Sequence, residues 1–235
     1  MFEYIQRLTE SSLLADLAQK VEYRVLLAAV SAFVISVLFG SWFISWLGRR
    51  GMLERTTKGD SVQLDALHGH KTNTPTMGGV IFLVAGGAAT LLWAKLDSRM
   101  VLMLLAYTLA FGAIGLVDDL VKLGPGAKKG IRGRTKFFYQ CVLGLSAGCI
   151  LYWYPPVVDL ASSADPATTL SLPFFKDAGF SLGILYIPLV AVVLAGSSNA
   201  VNLADGLDGL AAGCSALVGA TFVVVALLAG SSEAS

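Results

Sequence analysis

Residues Asn199 to Leu210 read Asn-Ala-Val-Asn-Leu-Ala-Asp-Gly-Leu-Asp-Gly-Leu. They hold two amides (Asn199, Asn202), two carboxylates (Asp205, Asp208) and two glycines (Gly206, Gly209). Residues 178–198 and 210–232, on either side, contain no Lys, Arg, Asp or Glu. Charges at the end of a bilayer-spanning segment are costly unless they face water, a ligand or an ion. Glycines beside them let the backbone turn and approach a ligand closely. A second acidic group is Val117-Asp118-Asp119-Leu120-Val121-Lys122. Two adjacent carboxylates repel, and a divalent cation, a lysine or a protonated member would relieve them. On a helix Lys122 reaches either aspartate, at three and four residues. The plainer reading is a salt-bridged helix end that closes a span in water.

Two further stretches add phosphate-type chemistry. Lys71-Thr72-Asn73-Thr74-Pro75-Thr76-Met77-Gly78-Gly79 carries a lysine and three threonines into an apolar run. Pro75 suits a first helical turn, where its missing N–H costs nothing, and the free amides there could receive a phosphate. Residues 128–136 hold Lys128, Lys129, Arg132, Arg134 and Lys136. Hard carboxylate oxygens suit Mg²⁺. Mg²⁺ with lysines and arginines suits a phosphate or pyrophosphate, whose transfer needs charge neutralisation and positioning. His68 and His70 read as solvated loop residues. Gly86 and Gly87 read as close helix packing.

Composition places these groups at a membrane. The 235 residues are 55% hydrophobic and 14% charged, with mean hydropathy +0.71; a soluble domain carries about 25% charge. Net charge is +1, and no nucleic-acid partner is expected. Cys141, Cys149 and Cys214 lie in apolar runs without metal-ligand spacing and read as small core residues.

The fold class expected is an all-α polytopic membrane protein forming a single integral-membrane domain over 1–235. Six stretches lack Lys, Arg, Asp and Glu: 25–48, 72–94, 100–117, 137–158, 178–204 and 209–232. A span needs about 20 apolar residues. The helices are set at about 25–48, 75–94, 100–121, 137–154, 180–201 and 209–230. Loop 49–71 holds five basic residues and loop 118–136 six, whereas 154–180 holds one. The basic loops are therefore cytoplasmic and the N-terminus lies outside. The four chemical stretches then share the inner face. Residues 1–20 read as an amphipathic helix at the outer interface. A short hairpin is possible in 154–180, and Pro188 would kink the fifth span.

At these motifs the chain resembles the phospho-N-acetylmuramoyl-pentapeptide transferases (translocase I, the MraY family). These belong to the polyprenyl-phosphate N-acetylhexosamine-1-phosphate transferase superfamily. The matching residues are Thr-Pro-Thr-Met-Gly-Gly at 74–79, the 117–122 stretch, Pro-Phe-Phe-Lys at 173–176 and residues 199–211. They fall in order across about Val25 to Leu228. The resemblance implies a Mg²⁺-dependent transferase of peptidoglycan synthesis, serving cell shape and division, in the bacterial inner membrane. Its substrates would be UDP-MurNAc-pentapeptide and undecaprenyl phosphate, its products lipid I and UMP. It implies catalysis by Asp118, as base or nucleophile, with Asp119. It implies substrate binding through Lys71, Thr74, Thr76, Asn199, Asn202, Asp205, Asp208 and Gly209, and metal binding by Asp118, Asp119 and Asp205. A homodimer in contact with membrane lipid is also implied. Ala204 departs from the family, which usually has Thr there. The family has ten spans, and its third essential aspartate and histidine-rich loop would lie beyond Ser235. The chain is therefore expected to be a fragment, or inactive alone.

Other functions would use these groups differently. A polyprenyl-phosphate GlcNAc-1-phosphate transferase would use the same parts with another donor. A transporter would place ionisable groups near the bilayer midplane in broken helices, whereas these carboxylates cluster at span ends. A structural scaffold leaves them unexplained.

Overall fold

The computed structural model describes residues 21–52, 77–123, 130–155, 168–171, 179–205 and 209–232. Six α-helices dominate them. They are α1 (Val21–Arg49), α2 (Gly79–Trp93), α3 (Arg99–Leu123), α4 (Gly133–Trp153), α5 (Tyr186–Ala204) and α6 (Leu210–Ser232). Each coincides with one of the apolar stretches. Residues Tyr23–Arg49, Arg99–Leu123 and Gly183–Ala204 are long and apolar enough to cross a bilayer. Gly79–Trp93 and Leu210–Ala226 are shorter apolar helices. Large side chains such as Phe33, Leu38, Phe82, Leu203, Leu217 and Phe222 stand exposed along them. So much bare apolar surface is incompatible with water and natural to lipid. The protein is a mainly helical integral membrane protein.

Helix ends depart from expectation for physical reasons. α1 already includes Arg24, ahead of the apolar run, and Arg24 is buried rather than exposed. Its Nε donates to the Trp93 carbonyl at 2.9 Å, occupying an acceptor that a helix end leaves open. α4 begins at Gly133, so Arg134 and Lys136 lie on its first turn. α5 begins only at Tyr186. Residues 180 and 181 belong instead to a strand, and Gly183–Leu185 form a single 3-10 turn. Pro188 is thus the third residue of α5. There its missing N–H has no partner to lose, so the expected mid-span kink becomes a helix start. The hairpin exists, with β1 (Thr169–Ser171) antiparallel to β2 (Gly179–Ser181) and Leu170 opposite Phe180. The expected helix over 1–20 lies outside the described residues.

The contacts divide the chain into two compact units, residues 1–136 and 137–235. In the first, α1 and α2 run antiparallel. Arg24 and Trp93 close one end, where Trp93 Nε1 also donates to Ser31 Oγ at 3.0 Å. Phe43, Leu47 and Met77 form the core at the other end. Phe43 sits between Phe39 and Trp46, with ring centroids 5.3 and 5.9 Å away. Gly112 of α3 makes room for the Leu83 side chain of α2. In the second unit, α4 buries Gln140, Gly144, Ala147 and Gly148, one helical stripe. α5 buries Ala191 and Ala195.

The glycines that bring helices together are not the expected ones. Among the described residues, a Cβ at Gly86 would meet nothing within 4 Å, and one at Gly87 only Leu105 at 4.0 Å. Of the cysteines, Cys141 and Cys149 are half-buried but Cys214 is exposed on α6. Cys214 is therefore not a core residue: its helix presents bare apolar surface all round.

Candidate active site

The acidic pair sits on the last two turns of α3. Asp118 is nine-tenths buried, and each of its oxygens is held. Oδ1 accepts the backbone N–H of Ile131 at 2.8 Å. Oδ2 lies 3.0 Å from Lys122 Nζ and 3.8 Å from Lys136 Nζ. Asp119, more exposed, accepts from the same Lys122 Nζ through Oδ1 at 3.0 Å. The lysine expected from helical spacing therefore does reach both aspartates. Such i,i+3 and i,i+4 pairs contribute only about 0.3–0.5 kcal/mol each when the lysine is half exposed. Their main effect is geometric, because they fix where the carboxylates point.

Sequence reasoning missed the other half of this clamp. Residues Gly130 to Lys136 return to α3 and bring Ile131 N–H and Lys136 to Asp118. Gly130 makes the approach possible. A Cβ there would collide with Asp118 Oδ1 and lie 2.9 Å from Lys122 Cε. The only signal in the sequence was a glycine inside a basic run, which a positive-inside anchor explains equally well.

Met77, just before α2, lies in the same unit. Met77 is buried with Phe43 and Leu47, and Leu116 and Leu123 pack against that cluster. Leu116 precedes Asp118 by two residues and Leu123 follows Asp119 by four. Met77, just before α2, and the acidic end of α3 thus share one core. Met77 adopts φ 73°, a left-handed conformation rare outside glycine. Burial of its side chain holds the turn that starts α2. Lys71, Thr74, Thr76, His68 and His70 lie outside the described residues.

In the second unit, Asn202 and Asp205 are exposed at the end of α5, where Asp205 is the C-cap. Gly209 has φ +78°, a turn that only glycine makes without strain, and its carbonyl accepts from Gly213 at 2.8 Å. Asp208 lies outside the described residues. Asn199 faces inward. Its Nδ2 donates to Gln140 Oε1 at 2.7 Å and to the Ala195 carbonyl at 2.8 Å. Gln140 had passed unnoticed, although its amide is a rare polar group in the run 137–158.

Among the described residues, no three His, Cys, Asp or Glu side chains gather closely enough to hold a metal ion. Asp118 and Asp119 bring two carboxylates, the hard oxygen type that divalent cations take, to one place. One cationic atom, Lys122 Nζ, already stands 3.0 Å from an oxygen of each. A single positive centre can therefore bridge the pair. Asp205 belongs to the other unit.

Comparison with known proteins matches residues 101–235 to glycosyl transferase family 4. Residues 71–83 match signature 1 of the phospho-N-acetylmuramoyl-pentapeptide-transferases. The chain belongs to glycosyl transferase family 4, on its phospho-N-acetylmuramoyl-pentapeptide-transferase branch. A relative is the phospho-N-acetylmuramoyl-pentapeptide-transferase of Desulforapulum autotrophicum. It is 37% identical over 231 residues, 97% of this chain and 60% of the relative. The chain thus spans about three-fifths of that transferase's length. The family match covers α3 to α6 and includes Asp118, Asp119, Asn202 and Asp205. The signature runs from Lys71 across Met77 into α2, so the strained turn lies at its centre.

Proposed function

We propose that the protein transfers phospho-MurNAc-pentapeptide from UDP-MurNAc-pentapeptide to undecaprenyl phosphate, releasing UMP and forming lipid I. The observation that carries this reading is the clamp on Asp118. A carboxylate buried at the end of an apolar helix is held by a backbone N–H and two lysines, with a second carboxylate beside it. A salt-bridged span end in water would need none of that burial. The branch signature over Lys71, Thr74 and Thr76 favours the muramoyl donor.

In this reading six helices cross the bilayer with the N-terminus outside. The basic 49–71 and 118–136 loops and the 199–209 turn then meet the cytoplasm. The lipid phosphate enters from the inner leaflet. One of its oxygens attacks the phosphorus bound to the sugar, and the bond from that phosphorus to the UMP oxygen breaks. Asp118 acts either as the base that takes a proton from the lipid phosphate, or as a nucleophile that first bonds the sugar-bearing phosphorus, expels UMP and is then displaced by the lipid phosphate; Asp119 stands next to it. Asn202, Asp205, Asp208 and Gly209 hold the nucleotide side, with Lys71, Thr74 and Thr76 donating to phosphate oxygens. Asp118 and Asp119 would hold Mg²⁺, which when bound would supply charge neutralisation for the diphosphate. The working protein is a homodimer in the inner membrane.

The test uses membranes containing the protein at its full natural length. Lipid I should form from UDP-MurNAc-pentapeptide and undecaprenyl phosphate. Asp118→Asn should abolish turnover while the protein stays folded; near-normal lipid I formation would refute the role of Asp118. The broad family match also fits a polyprenyl-phosphate GlcNAc-1-phosphate transferase. Turnover with UDP-GlcNAc instead of the muramoyl donor would select that reading.

A further inference from the structure

Helices α4 and α5 meet along a ladder that begins in small residues and ends in polar ones. A Cβ at Gly148 would lie 2.7 Å from the Ile187 carbonyl oxygen. One at Gly144 would lie 2.6 Å from Ala191 Cα. The two backbones are therefore in direct contact along this stretch. One turn before Gly144 stands Gln140, only 1% exposed, against Ala195, Ser198 and Asn199. Gln140 Oε1 accepts from Asn199 Nδ2 at 2.7 Å, and Gln140 Nε2 donates to Ser198 Oγ at 3.1 Å. The second Asn199 amide hydrogen goes to the Ala195 carbonyl at 2.8 Å. Both donors of Asn199 are thus spent inside the protein.

A ladder of glycine and alanine is smooth and fixes neither the height nor the rotation of one helix on the other. Directional hydrogen bonds do, and a single buried amide is the established device for choosing a register. The end fixed this way is the working end. Asn202 follows Asn199 by one turn on the same helix face, and Asp205 caps the helix.

We propose that Gln140 is a positioning residue for the nucleotide-sugar side of the site. Acting through Asn199 and Ser198, it sets the last turn of α5 so that Asn202 and Asp205 are presented in one register. This rests on the transferase reading above. Gln140 itself touches no substrate, and Asn199 acts from within the helix pair rather than by contact with the nucleotide.

The test is steady-state turnover of the full-length transferase in membranes, with UDP-MurNAc-pentapeptide varied, alongside thermal stability in detergent. Gln140→Leu should raise KM for the nucleotide sugar about tenfold while kcat stays within about threefold. Gln140→Glu keeps an acceptor for Asn199 and should hold KM within about threefold of the parent. Gly148→Ala disturbs the same helix pair at its far end. It should lower the melting temperature and leave KM within about twofold. If Gln140→Leu does not accumulate in membranes, the similarly sized Gln140→Met carries the same expectation. A flat KM in the Leu or Met variant, or an equal KM rise in Gly148→Ala, overturns the proposal. Absence of lipid I formation by the unmodified protein would sink the transferase reading instead. Normal parent turnover with a flat KM sinks the positioning role alone.

Discussion

At the scale of single residues, Asp118 matters less for its charge than for how completely it is held. Its two oxygens meet three donors from two parts of the chain: Lys122 on its own helix, and Ile131 and Lys136 on the returning stretch. Gly130 is the residue that cannot change. Gly130→Val should push Asp118 and Lys122 out of place and cut kcat by about tenfold to a hundredfold, with KM little altered. Lipid I formation at saturating substrate would show it, and unaltered kcat would mean the carboxylate tolerates another position. Met77 is the second special residue, a buried side chain on a left-handed backbone. Met77→Ala removes a core side chain and should cost about 2–4 kcal/mol, read as a lowered melting temperature in detergent.

At the scale of elements, helix contacts depend on where glycine lies against backbone rather than on glycine itself. A Cβ at Gly144 would meet Ala191 backbone, whereas one at Gly86 would meet nothing within 4 Å among the described residues. Gly144→Ala should therefore destabilise by about 1–3 kcal/mol through overpacking. Gly86→Ala should be neutral or gain about 0.5–1 kcal/mol, because alanine costs less backbone entropy in a helix. Thermal unfolding of the two variants side by side distinguishes them, and equal losses would contradict the contact geometry. Both glycines lie in apolar runs, so nothing local told them apart. The positions of α1 to α6 were legible from charge-free stretches, since lipid admits few charges. Their ends were less so. Arg24 entered α1 because a carbonyl awaited it, and residues 180–181 left the fifth span because β1 paired with them.

At the scale of the whole molecule, the distribution of charge makes a directional claim. Ser98 and Pro155 should face the outside, and Arg132 the cytoplasm. With Cys141, Cys149 and Cys214 replaced, single cysteines at 98 and 155 should react with a membrane-impermeant maleimide in intact cells. A cysteine at 132 should react only after permeabilisation. Labelling at 132 in intact cells would reverse the topology and with it the side on which the chemistry occurs.

Membrane character, the places of the helices among the described residues, and the Asp118–Asp119–Lys122 group were determined by the sequence alone. Each follows from rules acting within about 20 residues: lipid excludes charge, and helical spacing puts i, i+3 and i+4 side by side. The closure of residues 130–136 onto Asp118, the left-handed turn at Met77 and the buried Gln140–Asn199 bond were decided only by the tertiary structure. These contacts join residues far apart in the chain. Whether an amide in an apolar run faces lipid, a ligand or another amide depends on the helix that packs beside it.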